Sequence, residues 1–185
     1  SIRKQVSAVF EAATLRPKLK TSSDIMSSIT RVSKKKKNPP PISIKNRKDI
    51  FKKEFKRLNI PQHMAKLINY ALVDILKRYK NTLVFGEDVA QKGGVYNVTT
   101  ELFDIYGPRR VFNSPLDETS IIGFGIGFAH NGFIPILEIQ FLAYLHNTED
   151  QLRGEAATLA FFSDGQFTNP MILRVPGLAY QKGFG

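Results

Sequence analysis

Between residues 64 and 79 the apolar positions Met64, Leu67, Ile68, Ala71, Leu72, Ile75, Leu76 and Tyr79 recur at steps of three and four, the spacing of one helical face. Asn59 can cap that helix, and Pro61 suits its first turn. The pattern then shortens to an unbroken apolar run, Leu83-Val84-Phe85, closed by Gly86, as in a strand buried on both faces. Residues 99–106 read as a helix with Leu102, Phe103 and Tyr106 on one side and Gly107 as its stop; residues 110–113 read as a second strand. After Ser114-Pro115, residues 118–131 have helical length and Gly132 ends them. A strand over 134–140, a helix over 147–162 and a strand over 171–175 complete four helix-strand pairs. This alternation predicts an α/β domain, a parallel sheet with helices on both faces. Ligands in such sheets sit beyond the carboxyl ends of strands, which selects Gly86-Glu87-Asp88, residues 113–118 and residues 140–144.

The amino-terminal third is different in kind. Residues 1–13, with Ile2, Val6, Ala8, Val9 and Ala12, and residues 22–32, around Ile25, Met26 and Ile29, suit short amphipathic helices separated by Arg16-Pro17. A lysine run at 34–37 continues into Asn38-Pro39-Pro40-Pro41, a composition that makes an extended tether. The expected division is an arm over 1–33, a basic Pro-rich linker over 34–58 and a domain over 59–185.

Charge sharpens that division. The net charge of +11 belongs to the arm and linker, because residues 1–80 hold 21 Lys and Arg against 5 Asp and Glu, whereas residues 81–185 hold 6 against 11. Such a segment can neutralise phosphates, but no interleaved aromatics or groove-reading motif accompanies it, so nucleic acid is not the expected partner. Without cysteine there is neither a disulfide framework nor a cysteine-ligated metal. No apolar run approaches the ~18 residues of a membrane span, and no secretory signal opens the chain. A cytoplasmic protein, or a mitochondrial matrix one in a eukaryote, is expected. Starting at Ser1 and stopping in the loop-like Gly183-Phe184-Gly185, the chain reads as a piece of a longer polypeptide.

Glu118 is the most informative acid. It opens an apolar, small-residue segment with Gly123, Gly125 and Gly127, each of which costs a helix about 1 kcal/mol relative to alanine. Close approach to another helix or subunit would explain them. A carboxylate beside that surface should be poorly solvated and hold its proton tightly; the alternative is a helix-starting Glu that caps its own amides. The glycines lack GxGxxG spacing, no phosphate loop is present, His63, His130 and His146 lack metal-ligand spacing, and there is no Gly-x-Ser-x-Gly elbow.

Taken in order, GEDVAQKGGVY (86–96), YGPRRVFNSPLDE (106–118), GFGIGFAHNG (123–132), EIQFLAY (138–144), EDQLRGEAA (149–157), SDG (163–165) and NPMILRVPG (169–177) resemble the beta subunits of 2-oxo acid dehydrogenase decarboxylases, over about residues 62–177. GEDVA, VFN-P-L-E and EIQF-Y are closer to the branched-chain type. The resemblance implies a transketolase-like pyrimidine-binding domain for thiamine diphosphate. By it, Glu118 would hydrogen-bond a ring nitrogen of the aminopyrimidine and stabilise its imino tautomer. Gln140, Tyr144 and Leu116 would line the ring pocket, and Glu87 would match an acidic position linking paired sites, its alternative being a strand-end acid bonding loop amides. Main-chain oxygens near Asn169, Met171 and Ile172 would hold potassium. The implied reaction is decarboxylation with acyl transfer to a lipoyl group. Its implied partners are a lipoyl-bearing acyltransferase and an alpha subunit, or an alpha portion of the same chain, carrying the diphosphate and magnesium, in a dimer of alpha-beta units. The Gly-Asp-Gly motif of that alpha portion, the His of the loop beyond Gly185 and the carboxy-terminal domain lie outside these residues. Residues 12–19 resemble the end of an alpha portion in fused enzymes. Two other readings remain open: a different thiamine enzyme of transketolase type, and a nonenzymatic module whose basic arm binds nucleic acid or an acidic protein.

Overall fold

The computed structural model describes residues 1–29 and 37–177. The chain separates into two units, Ser1–Lys35 and Lys36–Gly185. Within the first, α1 (Ile2–Thr14) leaves Ile2, Val6, Val9 and Phe10 exposed. α2 (Ser22–Ile29) opens on a reciprocal cap, Thr21 N donating to Asp24 Oδ2 at 3.2 Å and Thr21 Oγ1 accepting from Asp24 N at 3.1 Å. Both helices match the expected periodicity; residues 30–36, which include most of the lysine run, lie outside the described residues, as do 178–185.

The expected linker over 34–58 needs correction. From residue 44 it is folded: α3 (Ile44–Phe51) begins at Ser43, whose Oγ accepts from Asn46 N at 3.2 Å, and a 3-10 segment Lys52–Asn59 follows. Ile50, Phe51, Phe55 and Leu58 pack onto the core of the second unit, Phe51 edge-on to Tyr70 at 5.4 Å between centroids. Arg47 grips Asp74 through two hydrogen bonds of 3.1 and 2.8 Å, and Tyr70 Oη donates to Glu54 Oε2 at 2.7 Å. Even Pro39 is tied, its carbonyl accepting from Arg78 Nε and Nη2. The basic side chains that suggested a solvated tether stand on the outer face of an element whose few apolar residues are spent inward.

α4 (Met64–Arg78) starts five residues after the expected cap. Asn59 ends the 3-10 segment, Ile60 is extended, and His63 caps the helix, its Nδ1 accepting from Lys66 N at 3.4 Å. The remaining elements are β1 (Thr82–Gly86), α5 (Leu102–Tyr106), β2 (Val111–Asn113), α6 (Glu118–His130), β3 (Ile134–Glu138), α7 (Leu159–Phe162) and β4 (Ile172–Arg174). The strands form one parallel sheet in the order β2-β1-β3-β4. Side-chain alternation along each strand divides the core: Val84, Val111 and Ile136 meet Leu72, Val73, Leu76 and Leu102 on one face, while Leu83, Phe85, Leu137 and Ile139 meet Ile121 and Ile122 of α6 on the other. Gly125 allows that second contact, since a Cβ there would lie 2.5 Å from Leu137 Cδ2.

One expected helix is broken. Residues 147–162 form the end of a 3-10 segment (Leu142–Thr148), a π turn (Gln151–Ala156) and the single turn of α7. The Asn147 carbonyl that would start a continuous helix accepts instead from Thr119 Oγ1 at 2.8 Å, and Gly154 interrupts the middle.

Arg110 locks the end of α4 to the start of the sheet, donating to the carbonyls of Thr82 (2.5 Å), Tyr79 (2.9 Å) and Leu76 (3.1 Å). Because bonds from a charged donor contribute about 2 kcal/mol, Arg110→Met should lower the unfolding free energy by at least about that amount in urea titrations, and Arg110→Lys should recover only part of it.

Candidate cofactor site at the carboxyl edge of the sheet

Register places the carboxyl ends of the strands level: Gly86 lies opposite Asn113 and Glu138, and Glu138 opposite Arg174. The three segments selected from sequence therefore leave one edge together. Gly86 is required by this closeness, because a Cβ there would sit 2.6 Å from the Glu138 carbonyl oxygen. The loops are stitched by Ser114 N donating to Gly86 O and Ala90 N to Asn113 Oδ1, both at 2.9 Å.

Glu87, the first residue past β1, is buried. Burial raises its proton affinity above that of an ordinary Glu, and the negative charges of Glu118 and Asp88 raise it further.

At the start of α6 the capping role falls to Asp117, whose Oδ2 accepts from Ser120 N at 3.2 Å and also from Ser120 Oγ. That settles the alternative left open for Glu118. Its carboxylate turns instead to the 3-10 segment, accepting from Asn147 Nδ2 at 3.1 Å. The dry wall expected around it is not closed by the described residues: Glu118 is half-buried, Leu116 is 84 % exposed, and Gly123 and Gly127 face open space. Gln140 and Tyr144, both half-buried, are carried to the same edge by β3 and the turn after it, the Tyr144 ring standing edge-on to Phe141 at 5.7 Å.

Residues 61–181 match the family described as transketolase, pyrimidine binding domain. The chain belongs to that family. Over 113 residues, 61 % of its length, this pyrimidine-binding domain is 43 % identical to the pyruvate dehydrogenase E1 component subunit beta of Staphylococcus epidermidis, covering 35 % of that relative. It is 41 % identical over the same length to the Bacillus subtilis protein of that name. Its identity is also 41 % to the 3-methyl-2-oxobutanoate dehydrogenase subunit beta of Mycobacterium tuberculosis, of which it covers 32 %. The chain thus spans about a third of the length of these relatives.

An aminopyrimidine, flat with polar ring edges, asks for a carboxylate, an amide and an aromatic face, and the pyrimidine-binding domain brings Glu118, Gln140 and Tyr144 to one edge. A diphosphate asks for a cation; among the described residues no three His, Asp or Glu side chains converge to hold one. Near the positions implied for potassium, the Asn169 carbonyl already accepts from Met171 N at 2.8 Å, while Asn169 Oδ1 is buried without a donor, an oxygen that suits a hard cation. Asn147, Asp117 and the buried pair Glu138 and Arg174 stand at the same edge and were not singled out from the sequence. Only Asp117 left a readable signal, an acid three residues before Ser120 at a helix start.

Because Glu87 binds its proton more tightly folded than unfolded, its ionisation opposes folding. The native state loses stability as pH rises above the ordinary Glu value of about 4.3 through the raised folded value. In urea titrations across that window, Glu87→Gln should lose less stability with rising pH than the parent chain; equal slopes would remove Glu87 as the buried titrating acid.

Proposed function

We propose that this chain is the pyrimidine-binding half of the decarboxylating component of a thiamine-diphosphate-dependent 2-oxo acid dehydrogenase, of branched-chain type. The observation that carries the reading is the freeing of Glu118: with Asp117 as cap, its carboxylate stands at the carboxyl edge within electrostatic reach of buried Glu87. When bound, the cofactor supplies the electron sink for loss of carbon dioxide. Glu118 holds a proton at a pyrimidine nitrogen, Asn147 fixes the direction of that carboxylate, and Glu87 keeps a second acid in exchange with it. Gln140 and Tyr144 orient the ring, and Leu116 covers it once the wall is complete. The relatives' names support the 2-oxo acid class, and one of the three, the Mycobacterium tuberculosis protein, names a branched-chain substrate.

The diphosphate and its magnesium then belong to an alpha portion, to which residues 12–19 would connect, and the acyl unit passes to a lipoyl-bearing acyltransferase. The open face of α6 at Gly123 and Gly127, flanked by exposed Phe124 and Phe133, suits tight packing within a dimer of alpha-beta units. Potassium would be held by oxygens around Asn169, Met171 and Ile172.

In the full-length enzyme, labelled 3-methyl-2-oxobutanoate should release carbon dioxide faster than pyruvate at equal concentration. Glu118→Gln should lower that rate by about 10²- to 10⁴-fold, the worth of a positioned acid, with little change in unfolding temperature. Release from pyruvate alone would overturn the branched-chain assignment, and release from neither would overturn the class. Isothermal titration of these 185 residues with thiamine diphosphate should give little heat; micromolar or tighter binding would refute the divided site.

A further inference from the structure

Glu138 ends β3 with only 2 % of its surface exposed, outside the set of residues placed around the cofactor. Its Oε2 is paired with Arg174 Nη1 of β4, and its carboxylate also accepts from Val95 N at 3.2 Å. An ion pair removed from water costs several kcal/mol, and an apolar pair commonly holds a core as well or better. A charge at this position therefore needs a use beyond packing.

The use lies in the loop that Val95 begins. Tyr96 (φ 58°) and Asn97 (φ 57°) are left-handed, a conformation that costs a side-chain-bearing residue about 1 to 2 kcal/mol and persists only where neighbours enforce it. On the other side of Val95, Gly94 N donates to Asp88 O at 2.9 Å, returning the loop to the turn that carries Glu87; Thr99 Oγ1 donates to Val89 O at 2.7 Å. The opposite side of the turn is held by the close approach of Gly86 to the Glu138 backbone. Glu138 thus meets Gly86, just before Glu87, through its backbone, and through its carboxylate meets the Val95 loop that Gly94 ties back to Asp88.

We infer that Glu138 is a positioning residue: clamped by Arg174, it pins the strained loop at Val95 and so fixes the Asp88 turn that sets Glu87 opposite Glu118. This rests on the reading of Glu87 and Glu118 as a working pair. Facing Glu87 are Glu118 of α6 and Asp88 of its own turn; facing Glu138 is Arg174.

The test uses the full-length enzyme and two variants, Glu138→Gln and the double variant Glu138→Gln with Arg174→Gln, the second of which leaves no lone cation buried if the first fails to fold. Amide exchange read by mass spectrometry should accelerate about tenfold or more over residues 87–99 and stay unchanged over α4. The kcat for decarboxylation should fall up to about 100-fold, as expected for a displaced catalytic group, with KM little changed. Its pH limb set by Glu87 should move to lower pH, as a loosened turn admits water to that carboxyl. Unchanged exchange over 87–99, or faster exchange with an unmoved pH limb, would overturn the inference. Glu87→Gln serves as reference: if it keeps the parent limb, the reading of Glu87 fails, while the exchange data still decide whether Glu138 holds the loop.

Discussion

Removing a carboxylate from water is costly unless a partner or a proton goes with it, and this domain does so twice at the same edge of its sheet. Glu87 is buried next to the negative charges of Glu118 and Asp88, so it holds its proton above the ordinary range. Glu138 is buried against Arg174; burial pushes its proton affinity up, and the guanidinium and the Val95 amide act against that shift. Both effects need the parallel register that sets Gly86 against Glu138, and that register needs a glycine where any larger residue would strike a carbonyl oxygen. The chemistry proposed for the edge depends on this crowding.

A division of labour among neighbouring acids follows from the same crowding. Asp117 accepts the Ser120 amide in the first turn of α6, which leaves the adjacent Glu118 free to face Asn147 and Glu87. Had Glu118 been the cap, its oxygens would have been occupied by its own helix and the edge would carry one acid fewer. The break in the helical region after residue 147 belongs to the same arrangement, since the Asn147 carbonyl is directed at Thr119 and its amide at Glu118. Local irregularity here is the geometric cost of aiming two groups at the first turn of another helix.

The second unit also reaches further toward the amino terminus than charge composition suggests. Lysine and arginine dominate residues 44–59, yet Phe51 and its apolar neighbours fasten the segment to α4 with the Arg47–Asp74 pair and the Tyr70–Glu54 hydrogen bond. Composition averages over both faces of an amphipathic element, whereas packing depends on one face alone. For that reason a basic stretch is a poor marker of a linker when even a few large apolar residues recur within it.

The sequence by itself determined the alternation of helices and strands, the parallel sheet and the strand ends where groups collect, Glu87 and Glu118 among them, because apolar periodicity and glycine stops are local properties of the chain. Strand order, register and the identity of the α6 cap were decided only by tertiary structure, since each depends on which backbone groups meet across long separations in sequence. The same is true of Glu138: in sequence it is one acid among apolar neighbours, and only the pairing of β3 with β4 and the return of the Val95 loop give its charge two partners. Periodicity along one strand carries no information about the donor that arrives from another.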